Sequence, residues 1–178
     1  LAISGTRDDQ PSELSGGQQQ RVELARQLVR ECDLMLLDDP LADLDYKLQK
    51  RMELRLHEMQ QDRNDTLVYV THNQDQALKL ADKIVVMNQG KIEQVGSPED
   101  VYYNPETAFV ARFVGDSNMF TAEIKSSNPT IADTNLGPIE VKSGGRSLST
   151  NKDGVVMIRP ERIAIKSAAN EKANTFTA

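Results

Sequence analysis

The fold of this chain is decided by the stretch Leu14-Ser15-Gly16-Gly17-Gln18-Gln19-Gln20-Arg21. A helix to about Glu31 is predicted behind it, because apolar residues recur at helical spacing at Val22, Ala25, Leu28, Val29 and Cys32. Ser15 is a preferred N-cap, and the amides after it point out of the helix start without partners. Such amides and the helix dipole attract anions, so this end is a candidate phosphate site. An ordinary turn before an amphipathic helix is the alternative.

The composition is that of a soluble protein with an acidic balance. The chain has 178 residues, of which 27% are charged and 38% hydrophobic, and its net charge is −6. This length allows one domain, or one domain and a small second one. An acidic balance argues against a nucleic-acid partner, for which a basic face is usual. The single cysteine, Cys32, excludes an internal disulfide and fits a reducing compartment.

A second candidate site follows a predicted strand. Leu34–Leu37 is apolar on consecutive positions, which favours a strand covered on both faces, as in a parallel sheet. Asp38, Asp39 and Pro40 follow it, at the strand end where open α/β sheets bind ligands. A carboxylate at this position can bind the Mg²⁺ that holds nucleotide phosphates, and a second one can act as the base for an attacking water. A turn and helix cap is the alternative.

The rest of the chain alternates predicted helices and strands up to Gly115, after which only short strands are predicted. Asp45 is a candidate N-cap for a predicted helix that runs from there to about Asp62. The elements predicted after it are a strand over Thr66–Val70, a helix from Asn73 to about Ala81, a hairpin joining Lys83–Met87 to Lys91–Val95, a helix beginning at Ser97 and a last helix over Glu106–Val114. Beyond Gly115, short alternating runs predict a small antiparallel β module over residues 116–178. The domain boundary is therefore placed near Gly115, between residues 1–115 and this module.

These motifs, in this order, resemble those of the ATP-binding-cassette (ABC) ATPases. Leu14–Arg21 resembles the signature motif, and Asp38 follows it at the spacing of the family's Walker B aspartate. Leu41–Asp45 resembles the D-loop, and His72 occupies the position of the switch histidine. The resemblance implies an α/β fold, in which a parallel sheet with helices precedes the β module.

The resemblance also implies roles for these residues. Two copies would meet head to tail, so that the signature residues of one copy close on the ATP held by the other. The residues of this half-site are Ser15, Gly16, Gly17 and Gln18, together with Asp45 of the D-loop. In the chain's own site, Asp38 would bind Mg²⁺, Asp39 would polarise the attacking water, and His72 would contact the γ-phosphate. The implied cofactors are ATP and Mg²⁺.

The tail narrows the resemblance. Asn118-Met119-Phe120 and Arg159-Pro160-Glu161 resemble the regulatory β domain, OB-like and of the TOBE type, of maltose, iron and polyamine importers. Leu44–Leu48 and Gly115–Phe120 are most similar to the spermidine/putrescine importers. The implied partners are a second ATPase subunit, integral-membrane permease subunits and, indirectly, a solute-binding protein. The implied location is peripheral, on the cytoplasmic face of the membrane.

Two departures from the family pattern keep alternatives open. The chain contains no Gly-x-x-x-x-Gly-Lys-[Ser/Thr], so the phosphate-binding P-loop is expected upstream of Leu1, and the chain alone is expected to be inactive. Asp39 stands where the family has a glutamate. One alternative is a soluble cassette ATPase of DNA repair or translation. Another is a non-catalytic regulatory protein with a degenerate ATPase half.

Overall fold

The computed structural model describes residues 3–30, 32–63, 66–142 and 148–163. The chain divides into two compact units, Leu1–Asp82 and Lys83–Ala178. Within the described ranges, none of the helices has both the length and the apolar character needed to cross a bilayer. The end of the β module assigned to residues 164–178 lies outside the described residues, and the domain boundary near Gly115 stays a prediction.

The first unit contains the predicted helices and parallel strands. Its elements are α1 (Gly16–Leu28), β1 (Leu34–Asp38), α2 (Tyr46–Arg63), β2 (Thr66–Val70) and α3 (Gln74–Leu80). β1 and β2 pair in parallel, with Leu34 opposite Thr66 and Asp38 opposite Val70. Helix α1 ends before the predicted Glu31, which lies outside the described residues, so Cys32 follows the helix instead of lying on it.

One face of the β1–β2 sheet packs against α1 and α2. The buried cluster between them contains Leu24, Met35, Leu37, Leu41, Leu48, Met52 and Leu56, and Cys32 packs against it. On the opposite face, four apolar side chains are exposed: Leu34, Leu36, Val68 and Val70. The prediction that β1 is covered on both faces is therefore wrong for the described residues, because one layer of helices covers one side of the sheet.

The second unit begins with the predicted hairpin and two capped helices. β3 (Ile84–Asn88) and β4 (Lys91–Gly96) pair antiparallel. Gln89 and Gly90 between them have φ of 48° and 75°, as the right-handed twist of a two-residue hairpin requires. The hydroxyls of Ser97 and Thr107 cap α4 (Pro98–Tyr103) and α5 (Ala108–Phe113).

In the part of residues 116–178 that the structure describes, the predicted β module is an antiparallel sheet of four strands. They are β5 (Asn118–Ser127), β6 (Thr130–Thr134), β7 (Gly137–Glu140) and β8 (Asp153–Ile158), in the order β7-β6-β5-β8. Ala122, Ile124, Ala132 and Val156 form its core. The α/β fold, with parallel and antiparallel parts, is therefore confirmed.

Arg159, directly after β8, ties this sheet to α4 and α5. Its side chain is buried, with 2% of its surface exposed, and its guanidinium donates to the carbonyl oxygens of Tyr102, Ala111, Gly115 and Asp116. The guanidinium also stacks over the Tyr102 ring, 4.1 Å from the ring centroid. Burial lowers the pKa of Arg159 from its ordinary value, and the carbonyl dipoles replace the water that it has lost.

Candidate functional site

The carboxyl ends of β1 and β2 bring two predicted site residues together. Beyond the last paired residues, Asp38 and Val70, the amide of Asp39 donates to the carbonyl oxygen of Val70 at 2.8 Å. The residues that follow the two strands therefore leave the sheet side by side. This is the edge of a parallel sheet at which ligands bind.

Asp39 and His72 form the centre of the site. Nδ1 of His72 lies 2.8 Å from Oδ2 of Asp39. The His72 side chain is 81% exposed and that of Asp39 is 32% exposed, so both are accessible to a ligand. Asp39 has a φ of 42°, a left-handed conformation that aspartate tolerates better than most residues. The backbone therefore turns sharply at the residue that the sequence analysis assigned to the attacking water.

A buried hydrogen-bond network lies behind this pair. Gln76, with 1% of its surface exposed, accepts hydrogen bonds at Oε1 from the hydroxyls of Tyr69 and Thr71, both at 3.0 Å. The Thr71 hydroxyl oxygen lies 3.4 Å from Oδ1 of Asp39 and accepts from the Asn73 amide at 3.0 Å. The network thus connects the start of α3 to the carboxylate of Asp39.

Two carboxylates act on the Tyr69 hydroxyl of this network. Burial, reinforced by the carboxylates of Asp39 and Glu53, raises the pKa of the Tyr69 hydroxyl well above its ordinary value. Glu53 is buried and is neutralised by Lys50, whose Nζ lies 2.7 Å away. The hydrogen bond to Glu53 raises the pKa of Lys50. Tyr69 is therefore a neutral hydrogen-bond donor at physiological pH.

The signature residues form a reciprocal cap at the start of α1. The Ser15 hydroxyl accepts from the Gln18 amide at 3.4 Å, and Oε1 of Gln18 accepts from the Ser15 amide at 2.8 Å. The predicted N-cap is confirmed. A Cβ at Gly16 would meet open space, so this face of the helix start can be approached closely.

The D-loop residues lie next to the signature helix. A Cβ at Gly17 would lie 3.6 Å from the carbonyl oxygen of Asp43. Oδ1 of Asp45 accepts from the amide of Leu48 at 3.0 Å, so Asp45 caps α2. The half-site role of Asp45 stays a prediction, and its carboxylate serves as a helix cap in this structure.

The structure brings some predicted site residues together and leaves others apart. Asp39 and His72 are in contact. Asp38 is the last residue of β1 and lies on its exposed face, and among the described residues its carboxylate has no hydrogen-bond or ion-pair partner. Across the same ranges, no hydrogen bond or ion pair joins Ser15 or Gln18 to the Asp39–His72 pair. The sequence analysis did not identify Gln76 as the acceptor for the Tyr69 and Thr71 hydroxyls, because a glutamine in the first turn of a short helix does not by itself indicate such a contact.

Comparisons with known proteins agree on one family. A family model described as ABC transporter matches residues 1–42. The spermidine/putrescine import ATP-binding protein PotA of Trichormus variabilis is 45% identical over 169 residues, which are 93% of this chain and 44% of that protein. The sulfate/thiosulfate import ATP-binding protein CysA 2 of Shewanella oneidensis is 42% identical over 173 residues, 97% of this chain and 48% of that protein. The chain thus spans less than half the length of these curated relatives.

A solved structure has the same fold. A metal-chelate type ABC transporter in an inward-facing conformation matches 76% of this chain and 50% of its own chain, with a TM-score of 0.50 and 24% identity. At this identity the likeness concerns the fold alone. It supports the arrangement of helices and strands described above.

Proposed function

This chain belongs to the ABC transporter family, and we propose that the protein containing it hydrolyses ATP to drive the import of a solute, with polyamines as the transported class. The observation that carries this proposal is the contact between Asp39 and His72 at the carboxyl ends of two parallel strands. A carboxylate and an imidazole at this edge are suited to orient a water and to contact a terminal phosphate.

Asp39 is the proposed base. Oδ2 is engaged by His72, whereas Oδ1, which lies 3.4 Å from the Thr71 hydroxyl oxygen, has a further lone pair to accept a hydrogen bond from the attacking water. A hydrogen on Nδ1 of His72 fits the 2.8 Å contact, and Nε2, when it also carries a hydrogen, would donate to an oxygen of the γ-phosphate. The carboxylate of Asp39 orients the imidazole, and the imidazole holds the carboxylate in place.

The residues at this edge fit a magnesium ion. The exposed carboxylate of Asp38 lacks a hydrogen-bond or ion-pair partner in the described part of the chain, and a carboxylate oxygen is a ligand that Mg²⁺ prefers. In the same part, no group of three or more His, Cys, Asp or Glu residues is arranged to hold a metal. This fits an ion bound by one or two carboxylates and the nucleotide phosphates. The ion would neutralise charge on the phosphates, and Asp38 would hold it.

The signature residues are proposed to serve the site of a second copy. The amides at the start of α1 carry the positive end of the helix dipole, and Gly16 leaves room for close approach. In the described structure the Ser15 hydroxyl accepts from the backbone amide of Gln18, and the Gln18 side chain accepts from the backbone amide of Ser15. A phosphate of the partner copy would compete with this cap for the Gln18 amide. Asp45 would reach the interface from the same side, since Asp43 adjoins Gly17.

The membrane partners and the location follow from the same proposal. An import ATPase of this kind works through integral-membrane permease subunits and stays peripheral, on the cytoplasmic face. Closure and reopening of its dimer would move those subunits. A solute-binding protein would act indirectly, through the permease, and no nucleic acid is involved.

Transport by the full-length protein and its permease tests the proposal. Whole cells, or right-side-out vesicles loaded with ATP, that contain both proteins and the solute-binding protein would be assayed for ATP-dependent uptake of labelled putrescine and, separately, of labelled sulfate. Putrescine uptake together with phosphate release is the expected result. Sulfate uptake alone would overturn the polyamine assignment, but it would support the proposal that the protein drives the import of a solute. Phosphate release that no permease stimulates would point to a soluble ATPase, and no release at all would point to a regulatory protein.

A further inference from the structure

Side-chain hydrogen bonds cross the predicted domain boundary near Gly115. The Ser117 hydroxyl donates to the carbonyl oxygen of Ala111 at 3.3 Å, and Nε of Arg112 donates to the sulfur of Met119, also at 3.3 Å. Both bonds join α5 to the segment that begins the antiparallel sheet. Flexible domain boundaries fall in exposed linkers that few contacts cross. The segment after α5 is therefore bound to the helix that precedes it.

Arg159 reaches the same junction from the far end of the sheet. Its Nη1 lies 3.2, 3.0 and 3.0 Å from the carbonyl oxygens of Ala111, Gly115 and Asp116, and Nε and Nη2 both donate to the carbonyl oxygen of Tyr102. Nη1 carries two hydrogens, so three acceptors must share them. One planar group therefore binds α4, α5 and the turn between α5 and the sheet.

We propose that α4, α5 and the sheet β5–β8 move as one rigid body, with Arg159 as its lock, and that Gly115 is not a hinge. The inference goes beyond the proposed ATP hydrolysis and does not depend on it. Its consequence is mechanical. A partner that holds or displaces the sheet also holds or displaces the two helices, because the chain does not bend between them.

The packing around Arg159 opposes bending at this junction. The Arg159 side chain is 2% exposed, and Val110 and Val114 are 0% and 3% exposed. A Cβ on Gly115 would lie 2.9 Å from Cε2 of Tyr102, so the backbone and this ring are already close. Rotation about Gly115 would pull carbonyl oxygens away from a buried guanidinium, where water does not replace the lost bonds. Bending therefore requires the buried site to open first.

Two further contacts lie outside this lock and are exposed. The Tyr102 hydroxyl donates to Oε1 of Glu161 at 3.1 Å, and the guanidinium of Arg162 lies 5.5 Å from the centroid of the Tyr103 ring. Water competes with contacts of this kind, so they contribute less than the buried bonds of Arg159. Arg162 therefore provides a matched control, because it is a second arginine on a tyrosine of α4 without the buried carbonyl contacts.

The first test measures a distance between the helix and the sheet. Spin labels are attached to Glu99→Cys on α4 and Asp133→Cys on β6, both exposed, in the full-length protein with its native cysteines replaced. Dilution with unlabelled protein restricts the measurement to pairs within one copy. We expect one narrow distance distribution with and without ATP. Two populations, or a mean that ATP moves by more than about 5 Å, would show a hinge and overturn the proposal.

The second test changes the lock in the same labelled protein. In Arg159→Lys the charge remains, but a single ammonium cannot reproduce the fork that reaches carbonyl oxygens on several elements. The distance distribution should become about twofold broader or more. Arg162→Met should keep the width of the wild type. An unchanged width in Arg159→Lys, or equal broadening in both variants, would overturn the role of Arg159.

The third test separates loss of the lock from loss of the fold, by hydrogen exchange in the nucleotide-free, full-length protein. Arg159→Lys should speed exchange of the Asn104 and Val114 amides, which close α4 and α5, about tenfold. Exchange in β6 should stay at the wild-type rate, because β5 and β8 lie between β6 and Arg159. Equal acceleration in β6 would show that Arg159 supports the whole sheet, and unchanged rates at Asn104 and Val114 would show no lock. Either result overturns the proposal. Since neither the width of the distance distribution nor the exchange rates require ATP hydrolysis, failure of the proposed function would leave these outcomes decisive.

Discussion

Nδ1 of His72 lies 2.8 Å from Oδ2 of Asp39, although the two residues are separated along the chain by α2 and β2. The parallel ladder between β1 and β2 sets this distance, because it places the ends of the two strands side by side. The amide of Asp39 extends the ladder by its bond to Val70. The contact is thus a consequence of strand register. Substitutions of either side chain therefore test the same pair.

Asp39→Asn should reduce phosphate release by the full-length protein about 100-fold or more, because asparagine can neither accept a proton nor polarise water as an anion does. Asparagine also tolerates the positive φ of Asp39, so the melting temperature should stay close to that of the wild type. If Asp39 were only a turn residue, turnover would be unchanged. Asp39→Glu tests the reach of the family's usual residue; it should keep or raise turnover unless backbone strain at this φ reduces folding.

His72→Ala should lower kcat far more than it lowers ATP affinity, since the imidazole is proposed to act on the γ-phosphate and the water in the transition state. The side chain is 81% exposed, so its removal should change the free energy of unfolding by less than about 0.5 kcal/mol. The other histidine of this chain, His57, is exposed on α2 and serves as the control. Equal losses of affinity and turnover in His72→Ala would argue against this role.

Ser15→Arg should prevent ATP-dependent dimerisation, measured by light scattering, because a bulky side chain would lie between α1 and the partner's phosphate. It also removes a helix cap, at a cost of about 1 kcal/mol. Ser97→Arg is the matched control, since Ser97 caps α4 in the same way, with its hydroxyl 3.1 Å from the Asp100 amide. A dimer that forms normally in Ser15→Arg would rule out the half-site.

Gly115→Ala should destabilise the second unit by about 2 kcal/mol or more, measured by urea unfolding. Gly115 has a φ of 80°, and a Cβ there would lie 2.9 Å from Cε2 of Tyr102, beside the buried guanidinium of Arg159. Gly90→Ala is the control, because Gly90 has a similar φ of 75° and open space around it. Equal losses in the two variants would show that backbone strain alone is responsible, and that the packing around Arg159 is tolerant.

Stability at high pH should depend on Tyr69. Its pKa is raised in the folded state, so its contribution is complete below the ordinary tyrosine pKa of 10.0 and is lost as the pH rises above that value. The free energy of unfolding of the wild type should therefore fall more steeply between pH 9 and about pH 11 than that of Tyr69→Phe. Parallel pH profiles for the two proteins would contradict the buried, neutral state of this hydroxyl.

The sequence by itself determined the order of helices and strands and most of their ends. Ser15, Ser97 and Asn73 are side chains that cap helices locally, and the structure places each at a helix start. The turn at Gln89 and Gly90 is equally local, because its positive φ values depend on the two residues themselves. Local hydrogen bonds and spacing suffice for such features, so they can be predicted without a tertiary structure.

The tertiary structure alone decided which side chains meet. Strand register brings His72 to Asp39, burial on the inner side of α3 makes Gln76 the acceptor for two hydroxyls, and Arg159 reaches carbonyl oxygens from α4, α5 and the turn at Gly115. It also left one face of the β1–β2 sheet uncovered among the described residues, against the prediction from consecutive apolar positions. Such contacts join residues far apart in the chain, and their energies depend on distance and burial, which sequence spacing does not specify.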